Sequence, residues 1–199
     1  YLSDTIYQLT KNADYQTMIL FNSLVMIEQV YSQLRETDLF DQRDILAQGI
    51  TGNRDKILKQ FSGGKNSILL GASSFWEGID LPESALELLI ITRLPFDSPD
   101  EIMNRAHNKL LQQQGKNPFY HSELPKATMR LRQGIGRLLR TEDDHGVAVV
   151  LDPRLQTRRY GKTILSSLPP DLPVNSKKTA ELISITQKFL QNGKEDKVN

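Results

Sequence analysis

The chain has 199 residues, 38% hydrophobic and 25% charged, with a formal net charge of +1. It reads as a soluble globular protein with room for a sizeable core; a uniformly basic nucleic-acid wrapper is excluded, while local basic patches are not. Cysteine is absent, which excludes disulfides, thiol nucleophiles, iron–sulfur clusters and cysteine-bound zinc within the chain and fits a cytoplasmic setting. No apolar run approaches the roughly 18 residues of a membrane span and no signal peptide is visible, so no membrane partner is expected. Because it begins at Tyr1 and not at Met, the chain is expected to be part of a longer polypeptide, with part of any active site upstream.

Residues 1–16 are expected as a lead-in from that upstream region. "TMILFNS" (Thr17 to Ser23) is a short apolar run closed by Asn and Ser, which suits a buried strand leading into a helix cap. In "LVMIEQVYSQLRE", Leu24, Ile27, Val30, Tyr31 and Leu34 share one helical face. "DILAQG" (Asp44 to Gly49) predicts a second strand. "NRDKILKQFSGG" predicts a helix that opens on a capping Asn53 and closes on glycines. "SILLGA" (Ser67 to Ala72) and "LELLIITRLPF" (Leu86 to Phe96) predict a third and a fourth strand, the latter apolar throughout and so covered on both faces. "SPDEIMNRAHNKLLQQQG" predicts a helix with a Ser98 cap, Pro99 in first position and Gly115 at its end. A looser stretch, Asn117 to Pro125, leads to a helix over "RLRQGIGRLLRTEDD" (Arg130 to Asp144). "GVAVVLD" (Gly146 to Asp152) is the last strand and "TRRYGKTILSSL" a further helix. "PPDLP" (Pro169 to Pro173) reads as a linker and Ser176 to Leu190 as a terminal helix. The alternation predicts an α/β protein in three layers, a mostly parallel sheet flanked by helices over residues 17–170, with 171–199 as linker, C-terminal helix and polar tail. In such sheets ligands bind beyond the carboxyl ends of the strands.

Three segments invite a phosphate reading. "FSGGKNS" contains Gly-Gly-Lys, but Asn66 stands where a phosphate loop needs Ser or Thr, and the segment ends a helix; a glycine cap is the better reading. "GIG" (Gly134 to Gly136) lacks the third glycine of a dinucleotide fingerprint, that position being Leu139. The third is an arginine set. Gln133, Arg137 and Arg140 stand at i, i+4 and i+7, within about 60° of one face of a continuous helix. Gly134 and Gly136 leave room for close approach beside them, at a cost of about 1 kcal/mol each in a helix interior. Arginine suits planar, bidentate binding of phosphate oxygens. The alternative is a solvated basic face.

"ASSFWEGIDLPE" (Ala72 to Glu83) follows a strand directly, and its Glu77, Gly78 and Asp80 suit hydroxyl binding, magnesium-water contacts or coupling between sites. Trp76 suits base stacking, although a lone tryptophan is more often core. Asn22, Ser23, Ser73 and Ser74 also follow strands and suit phosphate contacts through hydroxyls and backbone N–H groups. Arg154, Arg158, Arg159 and Lys162 form a further basic cluster, better read as an exposed helix face. His107, His121 and His145 are scattered, so no metal site is expected.

These residues resemble a known family. "QGIGRLLR" (Gln133 to Arg140) resembles helicase motif VI, the Q-x-x-G-R-x-x-R signature of superfamily 2. "SFWEGIDLP" (Ser74 to Pro82) resembles motif V of the DinG/XPD branch. "MILFNSLVMIEQVY" looks like motif IV, and "ITRLPFDSPDE" like the DinG version of the next strand. The resemblance covers roughly residues 15 to 170 and implies the second RecA-like motor domain of a DinG-type DNA helicase. It further implies ATP and Mg2+ as cofactors, the magnesium held mainly by a first RecA-like domain that supplies the phosphate loop, which this chain lacks. On this likeness Arg140 corresponds to an arginine finger at the γ-phosphate, Arg137 to its phosphate-side or interdomain partner, and Gln133 to a contact with the phosphates or attacking water. Glu77, Gly78, Asp80 and Gly136 correspond to nucleotide-binding or coupling positions. The implied partners are single-stranded or forked DNA, the N-terminal RecA-like domain of the same polypeptide and, as in some relatives, an upstream exonuclease domain. Two other readings stay open: an ATP-sensing, nucleic-acid-binding module that regulates a fused exonuclease, and an unrelated α/β nucleotide enzyme.

Overall fold

A computed structural model of the chain describes residues 1–11, 13–76, 86–97, 102–138 and 145–195. The elements run α1 (Leu2–Thr10), β1 (Thr17–Leu20), α2 (Leu24–Arg35), α3 (Leu39–Gln42), β2 (Asp44–Ala47), α4 (Arg54–Gly63), β3 (Ser67–Gly71) and a 3-10 turn at Ser73–Phe75. They continue with β4 (Leu88–Ile91), α5 (Ile102–Gln113), a π-helical turn at Phe119–Glu123, α6 (Leu124–Ile135), β5 (Val147–Val150), α7 (Arg154–Thr157), α8 (Arg159–Ser166) and α9 (Thr179–Glu195). The strands form one sheet in the order β2-β3-β1-β4-β5, every pair parallel. β1 is central: Met18 faces Leu69 on one side and Leu89 on the other.

Period-two alternation divides the apolar strands between two cores. Met18, Leu20, Leu69, Leu89 and Ile91 face a layer built from Ile57 and Phe61 of α4, Leu131 and Ile135 of α6 and Ile164 of α8. Ile19, Ile68, Leu70, Leu88 and Ile90 face Ile6 and Leu9 of α1, Ile27 and Val30 of α2, Leu39 of α3 and Leu190 of α9. The chain is therefore a three-layer α/β domain with a mostly parallel sheet, as the alternation predicts. Each fully buried large aliphatic contributes about 1.5–3 kcal/mol of transfer free energy.

Four expectations change. Residues 1–16 do more than lead in: Ile6 and Leu9 of α1 are fully buried, and Gln187 of α9 donates to the Gln8 carbonyl at 2.7 Å. The looser stretch before Pro125 holds the π-helical turn, which runs straight into α6. Most consequentially, the helix expected over Arg130 to Asp144 ends at Ile135. Beyond it the bonds tighten to i→i+3, Arg137 N–H to Gly134 at 3.3 Å and Leu138 N–H to Ile135 at 2.9 Å, so the α-helical spacing is lost over Gly136 to Leu138, and residues 139–144 lie outside the described residues. The "TRRYGKTILSSL" helix also breaks, at extended Arg158, and Gly161 packs so closely that a Cβ there would lie 1.9 Å from the Leu155 carbonyl oxygen. Ser98 and Pro99, expected to open α5, lie outside the described residues.

The amino-terminal edge of the sheet is closed by Arg43, a buried arginine that the sequence reading passes over. Its guanidinium donates to the carbonyls of Thr10 at 3.1 Å, Tyr15, and Ser67 at 3.4 Å, and to Thr17 Oγ1 at 3.3 Å. Burial pushes its pKa down to about 10, and those acceptors compensate the buried cation. Gln16 completes the edge, donating to the Phe61 carbonyl at 2.6 Å and accepting from Ser67 N–H at 2.6 Å. The post-strand loops emerge at the opposite edge.

Candidate functional site at the carboxyl edge of the sheet

Because all strands are parallel, every post-strand loop emerges on one edge. Asn22 and Ser23 follow β1, Gln48 follows β2, Ser73 and Ser74 follow β3, and Asp152 follows β5. Asn22 is exposed and donates through Nδ2 to the Leu94 carbonyl at 2.9 Å, tying the β1 and β4 loops together. The Ser23 hydroxyl caps α2, accepting from Met26 N–H at 3.3 Å. Ser73 opens the 3-10 turn. Exposed Ser74 accepts through Oγ from Gln48 Nε2 at 3.2 Å, and its carbonyl accepts from Arg54 Nε at 3.2 Å.

Trp76 is core: it is 3% exposed, its indole N–H donates to the Phe21 carbonyl at 3.3 Å, and a Cβ at Gly134 would stand 3.6 Å from its ring. The ring thus locks the post-β3 loop to both β1 and α6. Arg137 adds a polar link. Its Nη1 donates to the Phe75 carbonyl at 2.7 Å and its Nη2 to the Trp76 carbonyl. Gln133 and Gly136 are exposed at the end of α6. They stand on a groove of about 760 Å³ shared with Met129, Pro169 and Leu172. Arg140, Glu77, Gly78 and Asp80 lie outside the described residues. Of the expected trio, Gln133 faces solvent and Arg137 turns back to the post-β3 loop.

The other arginines sort by partner. Arg130 pairs with Asp97, which also lies 3.8 Å from Lys126, so it braces the loop after β4 against α6. Arg132 is exposed on the groove. Arg154 chelates Asp152, with Nη2 to Oδ2 at 2.7 Å, and lies 5.5 Å from the Phe96 ring centre. Burial raises the Asp152 carboxyl, but the hydrogen bonds from Arg154 and from Leu94 N–H outweigh it and hold the group below its ordinary value. Arg158, Arg159 and Lys162 are exposed, so only Arg154 leaves the cluster for a structural pair. Among the described residues no three His, Asp or Glu side chains gather as a metal-binding group, and no helix is long and apolar enough to cross a membrane.

The sequence reading missed Gln48 and Arg54. The available signal was position alone: Gln48 ends a strand and precedes Gly49, whose φ of 80° turns the chain sharply.

An all-parallel five-stranded sheet between two helical layers, with its polar loops on one edge, defines a RecA-like α/β domain. Two solved structures share this fold: Xpd4 of S. tokodaii aligns with a TM-score of 0.55 at 18% identity over 83% of this chain and 32% of that one, and apo XPD with 0.59 at 14% over 82% and 33%. A family profile described as the helicase C-terminal domain matches residues 6–171. The 3'-5' exonuclease DinG of Bacillus subtilis is 40% identical over 173 residues, and the ATP-dependent DNA helicase YoaA of Haemophilus influenzae is 41% identical over 174. This chain belongs to the helicase C-terminal domain family, and its relatives include proteins named DinG and YoaA. The matches cover 85% and 87% of the chain but only 19% and 26% of those relatives, so it spans about a quarter of their length or less.

Proposed function

We propose that the chain is the second motor domain of an ATP-dependent DNA helicase and completes an ATP site whose other wall is a first RecA-like domain of the same polypeptide. Arg140 is the arginine finger at the γ-phosphate. Gln133, exposed beside side-chain-free Gly136, meets the phosphates or the attacking water. The fit is chemical: an amide donor and an open backbone approach suit an acceptor-rich polyphosphate, and no described acidic cluster competes with it. Bound ATP supplies a phosphoryl group whose transition-state charge a positioned arginine stabilises. Mg2+ is held mainly by the first domain. Glu77, Gly78 and Asp80 couple this site to DNA, and Asn22, Ser23, Ser73 and Ser74 face single-stranded or forked DNA. The cytoplasm is the setting.

The observation that carries the reading is the Arg137 link from the end of α6 to the Phe75 and Trp76 carbonyls. It joins the segment that resembles motif VI to the one that resembles motif V, as a machine coupling nucleotide to DNA requires. The experiment is ATP turnover with and without single-stranded DNA, in the full-length protein and in this chain alone. The reading expects DNA-stimulated turnover in the former and none in the latter. Turnover by this chain alone would contradict it. A second reading, an ATP-sensing module regulating a fused exonuclease with little or no unwinding, is favoured by the name of the B. subtilis relative; nuclease activity gated by ATP without strand separation would select it.

A further inference from the structure

The Gln48 amide has only one chemically allowed orientation. The Ala72 N–H, which can only donate, points at it from 2.8 Å, so the atom facing Ala72 must be Oε1. Nε2 therefore faces Ser74 Oγ, 3.2 Å away, and must donate to it. A hydroxyl that accepts from Gln48 keeps its own proton for another partner, and Ser74 is exposed. The Ser74 backbone is held as well, by the Arg54 Nε hydrogen bond to its carbonyl at 3.2 Å. Gln48 is itself fixed: its N–H continues the sheet to the Leu70 carbonyl at 3.0 Å, and Gly49 N–H bonds Gly52 at 3.3 Å across the tight turn that follows.

We propose that Gln48 is a positioning residue for single-stranded DNA. By donating to Ser74 Oγ it turns the serine proton outward, where it donates to a backbone phosphate. Phosphate oxygens only accept, so a hydroxyl with its proton turned inward would present lone pairs to them and repel. Arg54, the first residue of α4, holds the serine backbone so that the donor points along one direction. This inference rests on the helicase reading above and extends its DNA edge to Gln48, just after β2, and Arg54, at the start of α4.

Gln48→Glu tests it, because the carboxylate has the same shape but only accepts. Ser74 must then donate inward and lose its outward proton. The measurement is the affinity of the full-length protein for a fluorescent single-stranded oligonucleotide, made for wild type, Gln48→Glu, Ser74→Ala and the double variant, with thermal midpoints confirming that each is folded. Gln48→Glu is expected to weaken binding about tenfold in the presence of the Ser74 hydroxyl, and by a factor at least about threefold smaller in the Ser74→Ala background, since coupled residues are non-additive. An equal factor in both backgrounds means bare charge repulsion and overturns the proposal. So does wild-type affinity in Gln48→Glu. If the wild-type protein binds no single-stranded DNA, the helicase reading falls and this inference falls with it; binding that ignores Gln48 overturns the inference alone.

Discussion

Arg137 and Phe75 are 62 residues apart in sequence, yet the arginine Nη1 donates to the phenylalanine carbonyl at 2.7 Å, and Nη2 reaches the next carbonyl, that of Trp76. Two charge-assisted bonds from one planar group fix both distance and angle between the end of α6 and the loop after β3. The two segments are therefore tied by geometry as well as by charge.

Arg137→Lys separates coupling from catalysis. A lysine carries a point charge without the two-pronged geometry. In the full-length protein, the ratio of DNA-stimulated to basal ATP turnover is expected to fall about tenfold, equivalent to losing roughly 1.4 kcal/mol of coupling. Equal losses of stimulated and basal turnover, leaving the ratio unchanged, would assign Arg137 to the phosphates instead.

Arg43→Met removes the donors that satisfy the Thr10, Tyr15 and Ser67 carbonyls at the amino edge. Each buried acceptor left unpaired costs on the order of 1–3 kcal/mol, and because the Tyr15 carbonyl still accepts from Thr17 Oγ1 at 3.2 Å, a total loss of about 2–4 kcal/mol is expected. Urea unfolding reads it as a lower midpoint at an unchanged slope. A loss under about 0.5 kcal/mol, the size of an ordinary surface change, would show that the network is not structural.

Asp152 gives a pH signature. Its folded pKa is held below the unfolded value, which is about 3.9 for Asp. Its contribution is therefore fully present above that value and lost as pH falls through it towards the folded pKa. The wild-type thermal midpoint should fall more steeply below about pH 4 than that of Asp152→Asn, which cannot titrate. Parallel acid limbs would mean that the Arg154 pair carries no linkage.

Gly161→Ala should be poorly tolerated, because the new methyl would meet the Leu155 carbonyl oxygen at 1.9 Å. Relieving that contact requires shifting α7 against α8, at a cost of about 1–3 kcal/mol. For a domain of this size the thermal midpoint should drop by roughly 2–4 °C per kcal/mol. An unchanged midpoint would contradict the packing of the two helices.

The strands were legible because their apolar runs are short, uninterrupted and bounded by turn residues; Thr17–Leu20 and Leu88–Ile91 lie within the predicted segments. Helix α2 was legible from the spacing of Ile27, Val30 and Leu34 and from the Ser23 cap. α1 was not: its two buried apolar positions, Ile6 and Leu9, stand among polar residues, and they pack in one cluster with Ile27 and Val30 of α2 and with Leu190 of α9 at the far end of the chain. The end of α6 was misplaced because Gly134 and Gly136 look alike in sequence. In the fold Gly134 lies under Trp76, while Gly136 begins the tightened turn. The direction of Arg137 was not legible either, since its acceptors are backbone carbonyls, which every residue carries. Gln48 was missed for the same reason: one of its two partners is a main-chain N–H.

We propose above that this domain completes an ATP site with Arg140. The most direct measurement is DNA-stimulated ATP turnover of the full-length protein carrying Arg140→Ala, with the thermal midpoint and single-stranded DNA binding measured on the same sample. The account predicts that kcat falls by roughly 10³ or more, the scale of an arginine finger, while folding and DNA binding persist. Turnover within about threefold of wild type, a difference under about 1 kcal/mol in barrier, would contradict it.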